Sequence, residues 1–145
     1  MPGIVVGVDG SPHARRALDW AMREAAAHHA DLTVLTVNPV MASPWSGNPL
    51  ANPGQAEEVA AIRAAATEAV AKSASDLGDA QPASVTVTAV SGFPVRALID
   101  ASREADVLVI GSRGAGGFEA LLMGSISSQV SHHAACPLVI VPSGR

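Results

Sequence analysis

IVVGVDGSP, residues 4–12, combines the signal of a buried strand with the start of a helix. The run from Ile4 to Val8 is apolar without polar alternation, which is typical of a strand covered on both faces, as in a parallel sheet. Ser11 then offers a hydroxyl of the kind that caps helices, and Pro12 has the fixed φ that suits a first helical position. The segment therefore predicts a strand that turns directly into a helix.

The rest of the chain repeats this alternation of strand and helix. Further strands are predicted at residues 32–37, 85–90, 107–110 and 137–141, and helices after Ser11, at about 56–77, after Pro94 and at about 125–134. Strict alternation predicts a parallel sheet with helices on both faces, joined by right-handed crossovers. We therefore predict one domain spanning residues 1–145, of the α/β class. Its architecture is a three-layer α/β/α sandwich with a five-stranded parallel sheet, open and doubly wound (Rossmann-like), in the order 3-2-1-4-5.

Composition and charge argue against two classes of partner. The formal net charge is −4 and Lys72 is the only lysine, whereas a nucleic-acid footprint needs clustered Lys and Arg. The apolar runs are strand-sized and fall well short of the roughly 20 residues that cross a bilayer. Residues 1–3 carry no export signal, so a cytoplasmic location is expected by default.

Cysteine and histidine do not point to a metal centre. Cys136 is the only cysteine, so no internal disulfide can form, and a small hydrophobe beside Pro137 is preferred over a redox role. The pairs His28-His29 and His132-His133 lie near predicted helix ends, where cations suit the helix dipole. Neighbouring residues on a helix point about 100° apart and chelate one metal poorly.

A long connection follows the second strand. Residues 39–55 hold four prolines and two of the chain's glycines, which predicts an irregular loop, either a flap near a site or a disordered insertion. Trp45 near its middle is either a lid residue or an anchor. In the helix that follows, Glu57, Glu58, Glu68 and Lys72 are interpreted as a solvated face.

The segment GSRGAGGFEALLMGS, residues 111–125, follows the fourth strand. Glycine lets phosphate oxygens approach main-chain N–H groups closely, and Gly124-Ser125 opens a helix whose first N–H groups favour anions. A Walker A loop is excluded because this segment has no lysine, and a dinucleotide GxGxxG does not follow the first strand. The segment therefore predicts a phosphate cradle without lysine.

Gly111, Gly114, Gly124 and Ser125 fit the pattern G-x2-G-x9-G-[ST]. Together with VVGVDGS near the start and CPLVIV near the end, they make the chain resemble the universal stress protein family along essentially its whole length. The resemblance implies a five-stranded parallel fold, usually dimeric. It also implies ATP binding, since the members with this glycine motif are the nucleotide-binding class.

The resemblance carries a set of nucleotide-binding positions onto this chain. They are Val8, Asp9, Gly10, Ser11, Val37, Gly111, Ser112, Arg113, Gly114, Gly116, Gly124, Ser125, Ile126 and Ser127. Asp9 suits a ribose hydroxyl or the Mg²⁺ of Mg-ATP, and its alternative is a turn residue that bonds its own backbone. Arg113 either pairs with phosphate or points to solvent.

Three functional hypotheses follow. The first is a regulatory protein of the stress response that binds ATP, or cyclic AMP as an alternative ligand, and that has no catalytic residues. The second is a slow ATPase or autophosphorylating enzyme, for which only Asp9 and Arg113 are candidates. The third is a dimeric scaffold or chaperone-like protein without nucleotide. Strand Leu138 to Val141 is an expected sheet edge, and a homodimer through it is predicted.

Overall fold

The computed structural model describes residues 3–50, 53–112 and 125–142, which alternate strand and helix. In chain order the elements are β1 (Ile4–Val8), α1 (Pro12–His28), β2 (Asp31–Pro39), α2 (Gln55–Leu77), β3 (Ser84–Gly92), α3 (Pro94–Ser102), β4 (Val107–Gly111), α4 (Ser125–His133) and β5 (Leu138–Val141).

All five strands pair in parallel, in the order β3-β2-β1-β4-β5. Helices α1 and α2 cover one face of the sheet and α3 and α4 cover the other, as the two separate core clusters show. The predicted α/β fold and the predicted strand order are both confirmed. The chain leaves β1 toward β2 on one side and later enters β4 on the other, so the strand order reverses between β1 and β4.

The start of α1 forms as the sequence predicts. Ser11 is the N-cap, and its Oγ accepts a hydrogen bond from the N–H of Ala14 at 3.1 Å. Pro12 occupies the first helical position. Helix α1 then buries Leu18, Met22 and Ala25 against the sheet.

Strand β2 is longer than predicted. We expected it to stop at Val37, but it continues through Pro39 because β3 runs beside it to Gly92. A proline at the end of a strand costs only one donor, so the pairing of Pro39 with Gly92 is tolerated. Val37 is therefore an interior strand residue and not the last one.

Helix α2 is tied to the sheet by a polar contact that sequence reasoning missed. The side-chain amide of Asn38 donates to Glu58 Oε2 at 2.8 Å, and Asn38 itself is buried. Glu58 is exposed, as the solvated-face interpretation predicts, and its carboxylate also ties α2 to β2. Glu68 and Lys72 do form an exposed pair, with 3.4 Å between Oε1 and Nζ.

The connection after β2 is not irregular throughout. Ala42 bridges Pro49 in antiparallel fashion, and the N–H of Leu50 donates to the carbonyl of Met41 at 2.9 Å. Trp45 lies at the turn of this small hairpin and its side chain is 95% exposed, so it anchors nothing among the described residues.

Candidate functional site

The carboxyl ends of β2, β1 and β4 lie side by side at one end of the sheet. Val8, the last residue of β1, pairs with Thr36 of β2, and β4 runs along the other side of β1. In open parallel sheets, ligands bind outside the carboxyl ends of the strands where the strand order reverses. The predicted positions at the β1–α1 turn, on β2 and after β4 therefore lie together at the carboxyl end of the sheet.

The β1–α1 turn is built by side-chain bonds to its own backbone. Oδ1 of Asp9 accepts from the N–H of Ser11 at 2.9 Å, which is the turn role given above as the alternative for Asp9. Gly10 between them has φ +83°, a left-handed conformation that favours glycine. A Cβ added at Gly10 would meet nothing within 4 Å, so the surface above the turn is open.

The end of β4 and the start of α4 are joined through two buried serines. Ser127 Oγ donates to the carbonyl of Ser112 at 2.9 Å, and the N–H of Ser112 donates to the carbonyl of Val141 at 2.9 Å. Ile126 packs against the core cluster on the α3/α4 face, whereas Ser125 is exposed. Of the predicted residues on α4, Ser125 therefore offers the most accessible side chain.

Four predicted positions lie outside the described residues: Arg113, Gly114, Gly116 and Gly124. Gly111, at the end of β4, pairs with Val141 of β5. The glycine segment is thus described at its two ends, Gly111-Ser112 and Ser125.

Val37 and Thr36 point to opposite faces of the sheet, because successive side chains of a strand alternate. Val37 packs with the cluster that includes Leu35 and Leu98, under α3. Thr36 lies under α1 and α2 and is buried. Val37, the predicted nucleotide-binding position on β2, therefore lies on the α3/α4 face.

A pocket opens on the other face, beside the β1–α1 turn. Its volume is about 320 Å³, and we call it the α1–α2 pocket. Four of the predicted positions, residues 8–11, line it, but Val37, Gly111, Ser112 and the described part of α4 do not. The remaining lining residues are Pro12, Ala14, Arg15, Leu18, Thr36, Ile62, Ala65, Ala66 and Ala69. The sequence analysis did not predict this pocket. The only signal for it was the alternation of side chains along β2, which places Thr36 on the face opposite Val37.

The sequence matches the model of the Universal stress protein family over residues 2–142. This chain belongs to the universal stress protein family. A universal stress protein of Mycolicibacterium smegmatis is 37% identical over 141 residues, which cover 96% of this chain and 47% of that protein. The chain spans about half the length of the curated relatives it matches.

Solved universal stress proteins share the fold. The UspA protein of Lactobacillus plantarum superposes with a TM-score of 0.76 at 25% identity, with 96% of each chain covered. A universal stress protein crystallised in complex with cAMP superposes with a TM-score of 0.66 at 28% identity, and covers 98% of this chain and 97% of its own.

Metal-binding side chains do not cluster in the described part of this universal stress protein, where no group of three or more His, Cys, Asp and Glu could hold an ion. His28 ends α1, and its Nε2 lies 3.0 Å from Glu24 Oε1. His29 follows as the C-cap, with φ 49° and ψ 47°. His132 and His133 lie in the last turn of α4. These positions agree with histidines placed at the negative ends of helix dipoles.

Cys136 is half-buried just before β5. Burial raises the pKa of its thiol above the ordinary value, and the Sγ–H points to the carbonyl of Pro137 at 3.4 Å. A raised pKa leaves less thiolate at neutral pH, and the thiolate is the reactive form. The structure thus favours packing over redox chemistry at this residue.

The helices in the described ranges were compared with the length and apolarity of a membrane span, and none is long and apolar enough to span a bilayer.

Strand β5 lies at the edge of the sheet, next to β4, with Leu138 to Ile140 half-buried. An edge strand leaves a row of backbone groups available for pairing.

Proposed function

We propose that this universal stress protein binds an adenine nucleotide in the crevice between the β1–α1 turn and the start of α4. The observation that carries the proposal is the solved family member in complex with cAMP, which matches this chain over 98% of its length at 28% identity. The strand-order reversal between β1 and β4 is the place where a parallel sheet of this kind binds ligands.

The phosphates are proposed to lie at the start of α4. A helix start carries N–H groups without partners in the helix, at the positive end of its dipole, and these bind anions without a cationic side chain. Gly111, Gly114, Gly124 and Ser125 supply the glycine pattern around that start. In the described part of the crevice no predicted position is basic, so backbone N–H groups and the Ser125 hydroxyl are the proposed phosphate donors there; Arg113, the one basic predicted position, lies outside the described residues.

The base and the sugar are proposed to lie toward β2. Val37 supplies an apolar side chain on the α3/α4 face, and Asp9 is an acceptor at the carboxyl end of β1. One Asp9 oxygen already holds the turn through the N–H of Ser11, so the carboxylate is fixed in position by the backbone. A ribose hydroxyl or a phosphate-bound Mg²⁺ is the group that such an acceptor suits.

We propose a regulatory role in the stress response, with ATP as the ligand and cyclic AMP as the alternative, and no catalysis. Phosphoryl transfer needs a positioned water and a charge clamp on the γ-phosphate, usually lysine or arginine together with a metal. The predicted positions include no lysine and a single arginine, Arg113, so the proposed site holds phosphate mainly through neutral N–H donors. A homodimer paired through β5, with Leu138 to Val141 at the contact, completes the proposal.

Isothermal titration calorimetry with ATP, AMP and cyclic AMP tests the proposal. We expect binding of at least one of these nucleotides, and its loss in the Gly114→Val variant because a Cβ obstructs the approach of phosphate to the backbone. Gly92→Val is the matched control, since a Cβ at Gly92 meets nothing within 4 Å. The absence of heat at millimolar nucleotide, or undiminished affinity in Gly114→Val, would contradict the proposal.

A further inference from the structure

We propose that the α1–α2 pocket is a second ligand site, for a small neutral molecule with an apolar body and a single hydrogen-bonding group that pairs with the hydroxyl of Thr36. The site lies on the sheet face opposite Val37 and does not depend on the nucleotide proposal.

The shape of the pocket comes from small side chains facing one another across the end of the sheet. Ala14 and Leu18 of α1 and Ala66 of α2 line it and are buried, with exposures of 5%, 1% and 6%. Ala69 continues the small face of α2, and Ile62 forms a half-buried wall. A volume of about 320 Å³ is at the lower end of the range for pockets that hold small organic molecules, roughly 300–1,000 Å³.

The hydroxyl of Thr36 is the polar feature that indicates a ligand. Thr36 lines the pocket at 4% exposure, and no hydrogen bond joins its hydroxyl to another of the described residues. Buried polar side chains nearly always have a hydrogen-bond partner, because leaving one unsatisfied is costly. The hydroxyl both donates and accepts, so it can pair with either kind of group.

Charges at the pocket lie at the rim and are engaged with neighbouring groups. Nε of Arg15 lies 3.0 Å from Oδ1 of Asp19, an ion pair in which each side chain is one-third exposed. Asp9 accepts from the N–H of Ser11 and is also exposed. The buried lining residues are apolar apart from the hydroxyls of Ser11, which caps α1, and Thr36. Among the buried lining residues a charged ligand would lose hydration without gaining a counter-ion, so the inner part of the pocket favours a neutral one.

Phenol and toluene form a matched pair of probes, since they are planar molecules of similar size and only phenol carries a hydroxyl. Their affinities are measured by two-dimensional NMR titration of the whole chain, followed at Thr36 and at residues 62–69. We expect phenol to bind and to shift these resonances. Replacing Thr36→Val should weaken phenol binding about tenfold, the effect of one lost hydrogen bond, and leave toluene binding unchanged or stronger.

A second variant tests the location. Ala69→Leu adds a larger side chain inside the pocket and should abolish binding of both probes. Ala64→Leu is the matched control: it places the same side chain at an exposed position of α2, and both probes should still bind. Three results would overturn the proposal: no binding of phenol at millimolar concentration, equal loss of phenol and toluene in Thr36→Val, or undiminished binding in Ala69→Leu. The first of these would leave only ordered water as the partner of Thr36.

Discussion

The two faces of the sheet are packed differently at the carboxyl ends of the strands, where the candidate site lies. On the α3/α4 face, Leu98 of α3 lies directly over Gly7 of β1, so closely that a Cβ on Gly7 would be 2.7 Å from Leu98 Cδ2. On the α1/α2 face, one residue further along β1, Val8 borders an open pocket of about 320 Å³. The same strand is therefore tightly covered on one side and partly uncovered on the other.

This difference follows from what each helix presents. Helix α3 is short and presents Leu98, which is 6% exposed and reaches the strand backbone. Helix α2 presents alanines 65, 66 and 69 next to the pocket, and their short side chains leave space there between α2 and α1. Both faces carry a packed core, but at this end of the sheet the large Leu98 of α3 closes one face and the alanines of α2 leave room on the other.

The largest expected effect comes from opening the packed face. Leu98→Ala removes a buried side chain over Gly7 and should lower the free energy of unfolding by about 2–5 kcal/mol. Ile62→Ala, at the half-buried wall of the pocket, is the comparison and should cost about 1 kcal/mol. Chemical denaturation of both variants measures the contrast, and equal losses would show that the two faces are packed alike.

A smaller effect is expected from overfilling the same face. Gly7→Ala places a methyl against Leu98 and should cost about 1–3 kcal/mol, since cores tolerate added volume poorly. In the Leu98→Ala background the clash is absent, so the added cost of Gly7→Ala should nearly vanish. A double-mutant cycle checks this, and strictly additive losses would contradict the close contact between these two residues.

The smallest effect is a gain on the open face. Thr36→Val removes a buried hydroxyl that has no partner among the described residues, and should raise the free energy of unfolding by about 1 kcal/mol. Thr33→Val on the same strand is the control, because Thr33 is half-buried on the opposite face and should change stability by less than about 0.5 kcal/mol. A loss of stability in Thr36→Val would mean that the hydroxyl is satisfied in the free protein.

Local chemistry could be predicted from the sequence because its causes are local. The turn from β1 into α1 depends on Asp9, Ser11 and Pro12, which act on their own backbone within a few residues. The parallel sheet with helices on both faces followed from the alternation of elements, since right-handed crossovers leave few topologies. The predicted strand order is confirmed, although alternation alone also fits other doubly wound orders. The glycine pattern indicated the family correctly once it was combined with VVGVDGS near the start and CPLVIV near the end.

Features that depend on distant partners could not be predicted in the same way. Strand β2 reaches Pro39 because β3 runs beside it, and Asn38 meets Glu58 across twenty positions of sequence. The α1–α2 pocket arises from the spacing of two helices, which no local pattern along α2 reports. Ser127, predicted as a nucleotide-binding residue, donates its hydroxyl in this structure to the Ser112 carbonyl, and its nucleotide role stays a prediction.

An NMR titration of the chain with ATP tests most directly whether an adenine nucleotide binds where the strand order reverses. We expect amide shifts at Asp9 to Ser11, at Gly111 and Ser112, and at Ser125 to Ser127, with residues 62–69 of α2 unchanged. No shifts at millimolar ATP, or shifts confined to Thr36 and residues 62–69, would contradict nucleotide binding at this place.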